Sequence, residues 1–577
     1  MNKIKLQQLA VAVATTSVLV ACGDVENAPV IPTPTDDVIV TPSVTASPSP
    51  TQEPSVTATP SEIAPTGSPT ISPTPTVTSD PTAKPVTAWC PARAGQPDDW
   101  CAGKAVTADG TELPPGGYPY SPIRAFQEYD MLANGYKVGT YYPEWGVYAR
   151  GFEAEHIPYN ALTHVYYAFA SVCGDNSTAF NEDAANGNLE IGGVAFCTQD
   201  FEMNIYDDWA ATERPFAGDA WDTPLKGLFG QFARAKAAHP HLKVQMSIGG
   251  WTLSRPFFEM ADDPAKRAIF VASVKRFLRT YSTTFDGVDI DWEFPGAGGN
   301  DPDMGDANPD GDNFNPDRLR DADNFADLVI ELRQAMDELE AELGKRFELG
   351  AAVSPDPVRA AEFINWDRAA PAMDFINLMS YDYSGAWTLE NLGYNTSLRH
   401  PNPVDPNWNT EGLVNAMLAQ GIQANKLIVG VAKYGRGWTG VSNLTDPNDP
   451  FTGTAQAGTP ADETGIPYAG PGVAVGNISN WEVGNADYAF IEQTMMGGAD
   501  GTGINGFEFV YHADIGGAYV WNPSTGTLLA FDSKETVHQK GDLVRSLGLG
   551  GLFSWEITGD SGTILNAMNE SLNKPRK

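Results

Sequence analysis

The densest set of reactive side chains in the sequence is Asp286-Gly287-Val288-Asp289-Ile290-Asp291-Trp292-Glu293. Side chains alternate along an extended strand, so Asp289, Asp291 and Glu293 would share one face and Val288, Ile290 and Trp292 the other. Neighbours on one face stand about 7 Å apart at the backbone, within reach of direct side-chain contact. Three carboxylates held this closely cannot all ionise cheaply, because like charges raise one another's pKa. At least one should keep its proton near neutral pH, as a general acid must. A structural reading would require three buried acids with no task, so the row is read as a catalytic centre with Glu293 at its outer end.

Metal chemistry finds no comparable support. No Cys-x-x-Cys or His-Glu-x-x-His spacing occurs and only 7 His are present, so neither a catalytic zinc nor a cofactor is expected. Asp306-Ala307-Asn308-Pro309-Asp310-Gly311-Asp312, with Asp317 eleven places after Asp306, imitates a calcium loop. It lacks an obvious entering helix and has Asp at the last ligand position, so it reads as an acidic solvated loop. Calcium there would be structural.

The elements that must position the acid row alternate in type. Apolar runs at 137–142, 163–170, 243–248, 287–293, 348–354, 375–381, 427–432 and 551–555 are predicted strands. Helical stretches lie between several of them. The clearest carries Phe325, Leu328, Val329, Leu332, Met336 and Leu339 on one face at spacings of three and four. Strands alternating with helices imply a parallel sheet, and eight of them suit an α/β fold of the (β/α)8 barrel type. Barrel active sites lie at the C-terminal strand ends, where Glu293 falls. The run between 432 and 551 is too long for one strand-helix unit. Its Gly, Tyr, Trp and Phe content marks residues 438–531 as an inserted small α+β subdomain, with 135–437 and 532–577 forming the barrel.

Several motifs in order resemble glycoside hydrolase family 18, and in particular the bacterial chitinase A type. Asp286 to Glu293 resembles its acid signature, and Ser247-Ile248-Gly249-Gly250-Trp251 its third-strand motif. Met379-Ser380-Tyr381-Asp382 is similar to the sixth-strand motif and Ser554-Trp555-Glu556 to the eighth. Gly139 to Tyr148 and Tyr434-Gly435-Arg436-Gly437-Trp438 also match, so the resemblance runs from about Tyr136 to Leu572.

The resemblance implies a TIM barrel that cleaves β-1,4 links of chitin, with the substrate's own acetamido group as nucleophile and an oxazolinium intermediate. By this analogy Glu293 is the acid and base, Asp291 orients the acetamido N–H, and Asp289 shares a proton with Asp291. Tyr381 and Asp382 would contact the same sugar. Trp555 would form the floor under it, since pyranose faces stack on indole. Trp145, Trp251 and Trp387 match groove positions, and Met379, Tyr434, Arg436 and Glu463 are further substrate contacts. For Arg436 and Glu463 a surface ion pair is the competing reading. Ser247, Gly249 and Gly250 are expected only to leave space. Related activities remain as alternatives: an endo-β-N-acetylglucosaminidase cutting N-glycan cores, or a lectin-like chitin-binding lipoprotein.

Composition bounds the partners. Lys+Arg 36 against Asp+Glu 73 gives a formal net charge of −37. That balance excludes a nucleic-acid footprint and electrostatic docking on an anionic membrane. At the start, Lys3 and Lys5 precede a short apolar run, a signal peptide over residues 1–21. Leu19-Val20-Ala21-Cys22 resembles a bacterial lipobox, making Cys22 the expected lipidation site. Residues 22–88 hold repeats such as Pro48-Ser49-Pro50 and Pro73-Thr74-Pro75, a disordered Pro/Thr/Ser-rich tether that extends about 3.1 Å per residue. Residues 89–134 form a small Cys-containing element. With Cys22 set aside, local pairing gives Cys90–Cys101 and Cys173–Cys197 in an oxidising compartment. The expectation is an exported monomeric lipoprotein at the outer membrane or cell surface, touching the membrane only through its lipid.

Overall fold

Eight parallel strands close on themselves: β1 (Lys137–Pro143), β2 (His164–Val172), β3 (Lys243–Gly249), β4 (Gly287–Asp291), β5 (Glu348–Val353), β6 (Phe375–Leu378), β7 (Leu427–Ala432) and β8 (Gly551–Trp555). Each pairs with the next, and β8 returns to β1 through Lys137 opposite Gly551. Closure leaves the ring without an edge, the state a parallel sheet covered by helices favours. The structure is a computed structural model that describes residues 124–148, 150–174, 190–191, 194–195, 197–216, 219–296, 318–399, 405–455 and 484–577. Cys22, the Cys90–Cys101 pair, the tether, the Asp306–Asp317 loop and Glu463 lie outside the described residues.

Two apolar layers hold the barrel. Outward-facing strand residues such as Val288, Ile290 and Leu349 pack against helices, including Asp321–Leu343, whose Phe325, Leu328, Val329, Leu332, Met336 and Leu339 are all buried as their spacing predicts. Inside the ring, Tyr141, Tyr166, Phe375, Phe553 and Ile428 form a second cluster. Tyr141 and Tyr166 stack there with centroids 4.9 Å apart. The barrel is thus a packed core with polar side chains only at chosen positions.

Two strands stop two or more residues earlier than the apolar runs predict. β4 ends at Asp291, which stands opposite Gly249 of β3 and whose carbonyl accepts the last ladder bond, from the Gly250 amide at 2.8 Å. β6 ends at Leu378 because the Ser380 and Tyr381 amides turn back onto Leu378 and Met379 carbonyls, each at 2.7 Å. Both departures lie at the C-terminal end of the barrel strands.

Between β7 and β8 the chain builds a five-stranded antiparallel sheet in the order Asn485–Asp487, Tyr434–Trp438, Thr527–Phe531, Gly517–Asn522, Glu508–His512. Its Tyr434–Trp438 strand starts two residues after β7, so Tyr434 and Arg436 are delivered directly to the barrel mouth. Cys173 and Cys197 are disulfide-bonded, fastening the end of β2 to the following loop. Among the described residues no helix is long and apolar enough to cross a membrane.

Behind β8 lies a buried ion network. Lys433 and Asp560 are both fully buried and 3.2 Å apart. Arg150, from the loop after β1, pairs with Asp487 at 2.5 Å and approaches Glu556 at 3.9 Å. Arg124 donates to the Thr558 carbonyl at 2.7 Å and the Asp560 carbonyl at 3.1 Å. The Lys433 amide donates to the Trp555 carbonyl at 2.8 Å. Five separate pieces of chain, around 124, 150, 433, 487 and 556–560, therefore meet behind Trp555.

Candidate active site

Alternation along β4 sorts its residues as expected. Trp292, just past the strand end, turns outward and stacks on Phe257 with centroids 5.7 Å apart. Asp289 and Asp291 turn inward and are buried. Asp289 Oδ2 accepts from the Tyr141 hydroxyl at 2.5 Å and from Ser247 Oγ at 3.0 Å. Oδ1 of Asp289 and Oδ1 of Asp291 have no partner among the described residues.

Burial is the main reason these acids hold their protons more tightly than free carboxyls do. It pushes Asp289 up to about 6. It raises Asp291 well above the ordinary carboxyl range, with the Glu293 and Asp289 charges adding to it. Glu293 rises to about 8, by burial first and the Asp382 charge second. Repulsion within the row, the cause visible in sequence, ranks below desolvation. Since a general acid must be protonated, activity should persist on the alkaline side and fall only as pH passes about 8. A pH profile of kcat/KM on an N-acetylglucosamine oligomer checks this. A fall already near pH 5 would remove Glu293 from the role.

Glu293 lies two residues beyond β4 and is held from the loop after β3. Its amide donates to Ser254 Oγ at 2.9 Å, and that hydroxyl lies 2.8 Å from the Gly250 carbonyl and 3.1 Å from the Asp291 carbonyl. Gly249 sits at φ +115°, and a Cβ there would meet the Asp291 carbonyl oxygen at 2.2 Å. Only glycine allows this approach, so the motif's small residues do leave the expected space. Ser247 does more, by donating to Asp289.

Tyr381 and Met379 are buried at the mouth. Burial and then the nearby Asp291, Asp382 and Glu293 charges raise the Tyr381 phenol well above its usual value, so it remains a donor. Asp382 Oδ1 accepts from Tyr434 Oη at 2.7 Å and Arg436 Nε at 2.9 Å. The Arg436 guanidinium also lies 5.3 Å from the Trp387 ring centroid and 5.1 Å from that of Tyr434. Arg436 is thus ion-paired, and the pair belongs to the mouth of the barrel.

Aromatic planes surround the acids. Trp555 stacks on Phe169 with centroids 5.6 Å apart and 17° between planes, and Trp145 lies 6.4 Å from it. Trp145, Trp251 and Trp387 are 41%, 47% and 43% exposed, which leaves indole surface open to a ligand. Sequence reasoning did not select Tyr141, Phe169, Ser254 or the exposed, stacked pair Tyr148 and Trp209. Tyr141 and Tyr148 stood inside a matched motif, which was the available signal. Ser254 and Phe169 carried none: Ser254 comes from the loop after β3, and Phe169 sits at a register shift between Ala168 and Ala170 in β2.

A closed barrel whose C-terminal mouth holds buried acids beneath open indole faces defines a sugar-cleaving hydrolase. The sequence profile of the glycosyl hydrolases family 18 matches residues 137–560, and the chain belongs to that family. A chitinase of Autographa californica nuclear polyhedrosis virus is 40% identical over 447 residues, 76% of this chain and 72% of that one. Chitinase A of Pseudoalteromonas piscicida is 36% identical over 458 residues, 76% of this chain and 52% of that one. Among solved structures, chitinase ChiA74 from Bacillus thuringiensis superposes with a TM-score of 0.62 at 27% identity, covering 77% of this chain and 70% of that one.

Proposed function

We infer that the protein is a chitinase, hydrolysing β-1,4 linkages between N-acetylglucosamine units with retention of configuration. Glu293 gives its proton to the glycosidic oxygen while the acetamido carbonyl oxygen of the sugar bonds to the anomeric carbon. Asp291 accepts a hydrogen bond from the acetamido N–H and stabilises the oxazolinium charge. Asp289, tied to Tyr141 and Ser247, holds the field around Asp291. The Tyr381 hydroxyl supports the acetamido carbonyl, and Asp382 contacts the same sugar. Water then attacks with Glu293 as base, opening the ring and restoring the β-configuration. Trp555 is the floor for the reacting sugar, with Trp145, Trp251, Trp387, Met379, Tyr434, Arg436 and Glu463 along the groove.

The observation that carries this reading is Asp291. It is buried, its Oδ1 has no hydrogen-bond partner among the described residues, and the Glu293 charge helps to raise its pKa. We also propose that residues 1–21 direct export, that Cys22 carries lipid, and that residues 22–88 hold a monomeric enzyme off the cell surface.

The test offers purified protein two substrates, N-acetylglucosamine hexamer and an asparagine-linked glycan with an intact chitobiose core. Cleavage of the hexamer with the glycan spared is expected. Cleavage of the glycan alone would replace the reading with an endo-β-N-acetylglucosaminidase, and cleavage of neither would leave a binding protein.

A further inference from the structure

The carboxylate of Asp382 raises the Glu293 pKa, yet nothing in its own segment explains why it stands there. Asp382 has φ +60°, a left-handed conformation that residues with a Cβ enter at a cost. Some outside contact must hold it. Its amide donates to Oδ1 of Asn395 at 2.9 Å. Asn395 is fully buried, its own carbonyl accepts from the Tyr383 amide at 3.1 Å, and its Nδ2 reaches the Tyr434 carbonyl at 3.4 Å. One side chain thus ties the turn after β6 to the Tyr434–Trp438 strand of the insertion. That strand supplies Tyr434 and Arg436, the two partners of the Asp382 carboxylate.

We propose that Asn395 is a positioning residue for acid catalysis: by clasping the backbone of Asp382 and of Tyr434, it fixes the Asp382 carboxylate beside Glu293. The inference rests on the reading of Glu293 as the acid. The groups facing Asp382 are Tyr434 and Arg436 from the insertion, Tyr381 from its own segment and Glu293 from beyond β4. Glu293 faces Asp291 in turn. A negative charge held near Glu293 favours its protonated form, so losing that placement lets Glu293 ionise at lower pH.

Asn395→Ala removes the clasp, and Asp382 relaxes out of the left-handed region. The alkaline limb of the kcat/KM profile should then move to lower pH by about half a unit to one unit. Asp382→Asn should move it the same way, and the double variant no further than Asp382→Asn alone. Asn395→Ser, which shortens the side chain without emptying the site, serves if the alanine variant does not fold, and circular dichroism reports that. A purely structural role would lower kcat at every pH and leave the limb in place; that result, or a fully additive double variant, overturns the proposal. Glu293→Gln, assayed beside them, separates the two failures. If it stays active, the acid assignment falls. If it is inactive while the limb of the Asn395 variants is unmoved, only the role of Asn395 falls.

Discussion

Glu293→Gln should lower kcat on N-acetylglucosamine hexamer by about 10²- to 10⁴-fold, with KM changed only a few-fold. Glutamine has nearly the same shape and keeps the Ser254 contact to the backbone, so sugar binding should survive. What it lacks is a proton to give to a poor leaving oxygen. A substrate with an acidic phenol as leaving group needs less help, and its cleavage should suffer less. The same variant should unfold at a higher temperature than the parent under alkaline conditions. Glu293 rises from 4.5 to about 8 on folding, so the folded state binds its proton more tightly than the unfolded state does. Stability is therefore lost as pH climbs from about 4.5 through about 8, on the order of a few kcal/mol before solvent screening reduces it. Glutamine carries no such cost. Paired thermal melts at pH 5 and pH 9 test the point: equal gaps between variant and parent would contradict it.

Removing the acetyl groups of the substrate should be at least as damaging. A fully deacetylated hexamer offers no carbonyl oxygen to the anomeric carbon, and turnover should drop by at least about 10⁴-fold, the scale set by a well-held internal nucleophile. An ordinary retaining enzyme would instead use a second carboxylate about 5–5.5 Å from the acid and would tolerate the change better. Asp289 is a poor candidate for that task, because Tyr141 and Ser247 already occupy one of its oxygens within the barrel core. Chromatography of early products should show the β-anomer from the acetylated chain and nothing from the other. Equal cleavage of both would overturn the substrate-assisted mechanism.

The barrel was legible because its signal is local and repeated. Each strand is a short apolar run, and residues such as Phe325 and Leu332 announce a helix face by spacing alone. The acid row was legible because alternation on a strand is a two-residue rule. Ser254 and Asn395 were not, since each acts from a loop on backbone far away in sequence, and no period places a loop residue. The rank of causes was hidden too: sequence shows three neighbouring charges, while only the closed fold shows how completely they are removed from water. Arg436 stood between a surface pair and a groove contact until the sheet strand beginning at Tyr434 set it against Asp382.

The ion network behind Trp555 bears on where the smallest working fragment can begin. A trimmed chain starting at Tyr136 would keep every barrel strand and every acid. It would nevertheless lose Arg124, whose guanidinium caps the carbonyls of Thr558 and Asp560 just after the aromatic floor. The acid beside it, Asp560, is fully buried with Lys433, an arrangement sensitive to the loss of any neighbour. The structural boundary of the barrel therefore lies upstream of its first strand, and trimming to Tyr136 would leave the Thr558 and Asp560 carbonyls, just after Trp555, without the Arg124 donor.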